Sequence, residues 1–308
     1  MELSRAHPEL RSLLRWIPPI PYHIPLVRVL AGALSKLWRG FKGDEKIKVR
    51  WIDHGESQSK IYQPVAPATD GGLFFIHGGG YFLGHADIED ALCLLIVEGL
   101  GITVVSADYR LAPAHPFPAP LNDCMASWQW LQSHASELGV DPRRVVVSGQ
   151  SAGGGLAAAL TQRLHDDGGQ QPAAQLLLCP MLDDRTALRE ELTRERHFVW
   201  NNDNNRGGWH CYLGQEPGSP EVPPYSVPAR RESLAGLPAT WLSVGTIDLF
   251  LEETIGYAER LKASGVECEL FLGEGGPHAF ESYFPNSSIS AAHWESMYAF
   301  VRRVLAET

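Results

Sequence analysis

From about Lys46 onward, short apolar or β-branched runs alternate with longer segments of helical period, and this alternation limits the fold more than any other feature. The runs are IKVRWI (47–52), SKIYQ (59–63), GLFFIHG (72–78), ITVVSADY (102–109), RVVVSG (144–149), QLLLCP (175–180), TWLSVG (240–245) and ECELFL (267–272). Those in the middle are almost continuously apolar, as parallel strands covered on both faces must be. Helical segments are expected at 87–98, 119–138, 152–165, 251–264 and 289–306. Strands interleaved with helices predict an α/β fold with a mostly parallel, eight-stranded sheet flanked by helices.

Two segments break the alternation. Residues 1–45 carry Pro18, Pro19, Pro21 and Pro25 together with Trp16, Tyr22, Trp38 and Phe41. Residues 183–230 separate two strands with a polar, aromatic and Pro-rich stretch that includes WNNDNNRGGWHCYLG. Connections of that length in a compact domain are usually lids or binding loops. The expected organisation is an N-terminal cap segment at 1–45 and a main domain over 46–308, with a cap insertion at about 183–230.

Composition narrows the function classes. With 26 Lys+Arg against 36 Asp+Glu the net charge is −10, and no basic block offers a surface for nucleic acid. An apolar fraction of 44% with 20% charged residues fits a globular chain rather than a disordered one. No stretch reaches the roughly 18 apolar residues of a membrane span. Arg11, Arg15 and several prolines interrupt any signal-peptide layout at the N-terminus, so a cytoplasmic protein is expected. Cys93, Cys124, Cys179, Cys211 and Cys268 are scattered without a CxxC, which predicts neither a zinc site nor a disulfide framework.

Three motifs carry chemistry. Gly149-Gln150-Ser151-Ala152-Gly153 lies between the run RVVVS and the helical segment from 152. A serine on such a sharp strand-to-helix turn projects its hydroxyl from the backbone, and the helix start offers free N–H groups to an oxyanion. His77-Gly78-Gly79-Gly80-Tyr81 ends another strand, and chance would give HGGG only about 0.01 times in a chain of this composition. Its consecutive glycines let N–H groups turn toward a carbonyl oxygen, and no Lys-Ser/Thr follows to make it a P-loop. The expected donors are Gly78, Gly79 and Ala152, with His77 bracing the loop. A base and an acid are then needed downstream. His278, in the loop after ECELFL, can reach the sheet's C-terminal edge, whereas His293 falls inside the last helix and reads as a packing or surface residue. Asp248, Glu252 and Glu253 all follow TWLSVG. Asp248 lies in the loop before the helix, where an orienting acid belongs, and the two glutamates suit the helix's first turn. Asp183 and Asp184 follow another strand but precede the insertion, and with no histidine nearby they predict no metal site.

HGGGY, DYRLAPAHPFPAP (108–120), GQSAGG, CPMLDDRT, GTIDLF and PHAF together resemble the hormone-sensitive-lipase-like esterases, bacterial family IV, of the α/β-hydrolase fold. The resemblance runs in family order from about residue 73 to 281. It implies that the 46–308 unit is a serine carboxylesterase domain working without a cofactor, and two aromatic, Pro-rich segments closing one end of the sheet predict a preference for short- to medium-chain esters. It also implies a Ser151–Asp248–His278 triad, a Gly78–Gly79–Ala152 oxyanion hole, a cap from the two irregular segments, and frequent homodimers. Two positions depart from the pattern: Gln150 stands where an acidic residue is usual, and Ala279 where glycine is usual. The gibberellin receptors resemble the same family but lack the histidine, so His278 argues against a pure binding module. Acyl transfer or amide hydrolysis would use the same residues. Elsewhere, Asp108 and Arg110 are expected to form a local ion pair or a hydrogen-bonded brace, Trp128 to be core and Trp130 surface. Trp200, Trp209 and Tyr212 are open between cap packing and pocket lining.

Overall fold

The computed structural model describes residues 3–308. Each of the eight runs forms a strand: β1 Ile47–Asp53, β2 Gln58–Pro64, β3 Gly72–Ile76, β4 Thr103–Asp108, β5 Val145–Gln150, β6 Ala174–Leu178, β7 Ala239–Gly245 and β8 Cys268–Gly273. They build one sheet in the order β1-β2-β4-β3-β5-β6-β7-β8. β1 and β2 pair antiparallel, β2 and β4 likewise, and all later neighbours pair parallel. The helices in chain order are α1 Arg11–Leu14, α2 Pro25–Ser35, α3 Asp90–Leu100, α4 Ala119–His134, α5 Ala152–Asp167, α6 Glu190–Arg194, α7 Asn202–Leu213, α8 Leu251–Ala263, α9 Phe280–Tyr283 and α10 Ser288–Glu307.

The two-residue period of a strand divides the core. In β3, Phe74 and Ile76 point to the layer formed by α4, α5 and α8, while Leu73 and Phe75 point to α3 and α10. All four are fully buried, which is why GLFFI has no polar alternate position. Trp128 of α4 packs edge-on against Phe74, whereas Trp130 is only partly buried and stacks on His134.

Several expectations need correction. Asp108 and Arg110 do not pair. The strand ends at Asp108, which accepts the Ala86 N–H at 2.9 Å, and the chain turns so that Arg110 instead grips Asp123 bidentately at 2.8 and 2.9 Å. The irregular segments also contain helices that the periodicity did not predict. α2 begins with Pro25 at its first turn, a position where the missing N–H costs nothing. α7 is capped by Asn201, whose side chain accepts the Asn204 N–H at 2.9 Å, and it ends on Gly214 at φ 68°. Most of α2 leaves its apolar side chains at the surface; Leu26, Val29, Leu30 and Leu34 are exposed. No described helix is long and apolar enough to cross a membrane.

Candidate active site

Parallel strands deliver their C-terminal ends to one edge of the sheet, and the candidate residues leave from the ends of β3, β5, β7 and β8. β5 stops at Gln150, and Ser151 takes φ 57° and ψ −119°, a conformation that strains any residue with a side chain. Two contacts hold it there: its N–H donates to Leu178 O at 2.8 Å and its carbonyl accepts from Met181 N at 2.9 Å. The flanking glycines are forced by approach rather than by flexibility. A Cβ on Gly149 would lie 2.1 Å from Gly153 O, and one on Gly153 would lie 2.0 Å from Ile76 O.

The turn after β7 carries Asp248 and the turn after β8 carries His278. His278 Nε2 lies 2.9 Å from Ser151 Oγ, and His278 Nδ1 lies 2.9 Å from Asp248 Oδ2. The other carboxylate oxygen of Asp248 accepts the Phe250 N–H at 2.9 Å, which fixes the plane of the carboxylate. All three side chains are buried, and Phe250 meets the imidazole edge-on at 5.3 Å. The structure therefore brings Ser151, His278 and Asp248 into one hydrogen-bonded chain. The two glutamates lie apart from it. Glu252 pairs with Arg189 at the surface. Glu253 accepts the N–H of Leu182 and the hydroxyl of Thr186, and burial pushes its carboxyl up to about 8. His293 is fully buried among Trp241, Phe271, Phe280 and Trp294. Its Nε2 is 3.0 Å from Ser243 Oγ, and burial lowers it to about 3, so it packs as a neutral ring. Asp183 and Asp184 engage Arg185 and Arg230.

The glycine loop runs beside the serine. A Cβ on Gly78 would sit 3.4 Å from that of Ser151, and Gly79 holds φ 113°. Ala152 opens α5, where an N–H has no acceptor inside the helix. His77 stacks on Tyr109 at 4.1 Å and its Nδ1 lies 2.8 Å from Gly78 O; burial keeps it neutral. Cys179, Asp248 and His278 offer atoms within 4.8 Å of one another. This set suits a metal poorly, because burial holds the Cys179 thiol protonated and Asp248 already engages Nδ1 of His278.

The two departures from the family pattern sit in different local settings. Ala279 adopts φ 53° and ψ 38°, the left-handed region that favours glycine. The Gln150 amide donates to Glu281 and Ser282, each at 2.7 Å, and Glu281 is buried with its carboxyl raised chiefly by that burial. An acid at 150 would set two buried carboxylates in contact, so they would share a proton. The unfolded chain releases that proton near the ordinary glutamate range, so the penalty grows as pH rises above it. Gln150→Glu should cost about 1–3 kcal/mol at pH 8 and much less at pH 5, read from thermal melts. Equal losses at both pH values would contradict this account.

A cavity of about 340 Å³ opens onto Ser151 and His278. Ile17, Ile20 and Tyr22 from the N-terminal segment and Trp200 from the insertion line it, together with Tyr283. Tyr22 stacks on Trp200 at 6.4 Å, and Asn204 of α7 accepts His23 N–H at 3.0 Å and donates to Ile20 O at 2.9 Å. Trp200 therefore lines the cavity, while Trp209 and Tyr212 pack against Tyr81 behind it. One cavity residue was not legible in the sequence. Glu89 ends a turn before α3, where an acidic side chain reads as ordinary helix-start chemistry, yet it lines the cavity.

A family model described as the α/β-hydrolase fold matches residues 73–282. The chain is 36% identical over 266 residues to the carboxylic ester hydrolase LipN of Mycobacterium tuberculosis, covering 82% of this chain and 68% of that one. It is 31% identical over 274 residues to the esterase LipI of the same organism, covering 89% and 81%. Among solved structures, a bacterial heroin esterase superposes with a TM-score of 0.89 at 32% identity, covering 98% of this chain and 99% of the other. The sheet, the family match and these relatives agree: the chain belongs to the α/β-hydrolase family, in the hormone-sensitive-lipase-like branch.

Proposed function

We propose that the protein is a serine carboxylesterase hydrolysing short- to medium-chain carboxylic esters, with Ser151 as nucleophile, His278 as base and Asp248 as orienting acid. The observation that carries this reading is the chain of two 2.9 Å contacts from Ser151 Oγ through the imidazole to Asp248. The relatives named as carboxylic ester hydrolase and esterase support the reaction class.

In the first half-reaction Ser151 Oγ attacks the ester carbonyl as its proton passes to His278 Nε2. Asp248 keeps the Nδ1 proton in place and stabilises the imidazolium. The carbonyl oxygen becomes an oxyanion held by the N–H groups of Gly78, Gly79 and Ala152, a contribution of roughly 3 kcal/mol per donor. His278 then protonates the departing alcohol. In the second half, water gives a proton to His278 and its oxygen attacks the acyl carbon. The acid leaves and the proton returns to Ser151. No cofactor enters either half.

Residues 3–45 and 183–230 act as a cap over this edge, the first two positions of the 1–45 segment lying outside the described residues. Tyr22 against Trp200 closes one wall of the cavity, and its volume sits near the lower end of ordinary ligand pockets. Short and medium acyl chains should fit, and emulsified long-chain triglycerides should not. A panel of p-nitrophenyl esters should give the highest kcat/KM between roughly C2 and C8. Faster turnover of emulsified long-chain triglyceride than of soluble butyrate ester would overturn the cap assignment.

A further inference from the structure

The cavity is mostly apolar, yet one wall carries a carboxylate with no cationic partner. Glu89 lines the same space as Gly78, Gly79, Ser151 and His278, and no Lys or Arg lines it with them. Among the described residues no ion pair involves Glu89. The neighbouring Asp87 and Asp90 are both taken by Lys60, at 2.5 and 2.6 Å. The Gly78 N–H, the carboxyl of Glu281, the phenols of Tyr109 and Tyr283 and the thiol of Cys93 interact electrostatically with Glu89, none of them a cation, and His278 is the one titratable nitrogen base among the described residues that line the cavity. Burial, helped by Glu281 and opposed by the Gly78 N–H, pushes the Glu89 carboxyl up to about 7. Around it the cavity presents Tyr22, Trp200 and Tyr283, whose ring faces attract cations.

A lone carboxylate in this position works against a neutral ester. It faces the Gly78 N–H, one of the donors assigned to the oxyanion, and its charge repels the charge that develops there. A positive charge on the substrate removes that conflict and gives the carboxylate the partner it lacks. We propose that Glu89 is a specificity-determining residue that selects esters bearing a cationic amine, held between its carboxylate and the aromatic wall. The inference rests on the carboxylesterase reading and names the substrate class of that same site.

The test compares acetylcholine with 3,3-dimethylbutyl acetate, an uncharged ester of the same shape, with p-nitrophenyl butyrate as reference. The quaternary ammonium stays charged at every pH, and titration of the shared catalytic groups cancels in the ratio of the two kcat/KM values. That ratio should rise about tenfold between pH 6 and 8.5, as Glu89 loses its proton, and should stay flat in Glu89→Gln. Tetramethylammonium chloride should likewise inhibit p-nitrophenyl butyrate hydrolysis more strongly at pH 8.5 than at pH 6, against sodium chloride of equal ionic strength. The wild-type measurements need no variant to fold. A flat wild-type ratio, an equal rise in Glu89→Gln, or inhibition by tetramethylammonium that ignores pH would overturn the proposal while leaving the esterase reading intact. Failure to hydrolyse p-nitrophenyl butyrate at all would instead remove the esterase reading.

Discussion

Replacing Ser151 with Ala should lower kcat/KM for a soluble p-nitrophenyl ester by at least about a thousandfold. The substitution removes only the hydroxyl that faces His278 Nε2. The proposed oxyanion donors Gly78, Gly79 and Ala152 stay in place, so a weak residual rate should remain. Folding should survive, because the backbone at 151 is held by its contacts with Leu178 and Met181 rather than by the hydroxyl. Thermal melts measured beside the kinetics separate the two effects. Near-full activity in a variant that melts like wild type would remove Ser151 as nucleophile.

Asp248→Asn should cost on the order of 10⁴ in kcat, the loss known for the equivalent change in another triad enzyme. The geometry gives the reason. An asparagine oxygen would keep the bond from Phe250 N–H now made by Oδ1, which turns the amide NH₂ toward His278 Nδ1. Nδ1 must then accept, the ring proton moves to Nε2, and the imidazole can no longer take a proton from Ser151. Glu252→Gln removes only an exposed pair with Arg189 and should cost less than about tenfold. Glu253→Gln disturbs a buried support of the Leu182–Thr186 loop and should likewise stay within about tenfold in kcat. If Asp248→Asn remains within tenfold of wild type while either glutamine variant collapses, the orienting acid is misassigned.

Sequence pattern and structure agree where one physical signal dominates. β3 to β7 are buried on both faces, so their apolar runs are continuous and visible. The serine and glycine motifs sit at strand ends because their backbone geometry admits few other residues there. α7 escaped because Asn, Gly and Asp are weak helix formers. Its cap at Asn201 and its stop at Gly214 were the signals that could have revealed it. α2 escaped because prolines crowd its entry, although Pro25 marks the first turn. The partner of Arg110 was not legible, since Asp123 comes from the next helix and only the tertiary fold brings it near. Glu89 was hidden for the same reason: only the tertiary fold brings it to the cavity it shares with Ser151 and His278.

If Ser151 is the nucleophile of an acyl-enzyme mechanism, a serine-directed sulfonyl fluoride should modify it covalently. Wild-type protein treated with phenylmethanesulfonyl fluoride should lose activity in proportion to label incorporated, reaching one label per chain. Peptide mass spectrometry should place that label on the peptide containing Ser151 and nowhere else. Complete inactivation with Ser151 unlabelled, or stoichiometric labelling of Ser151 with activity retained, would contradict the account.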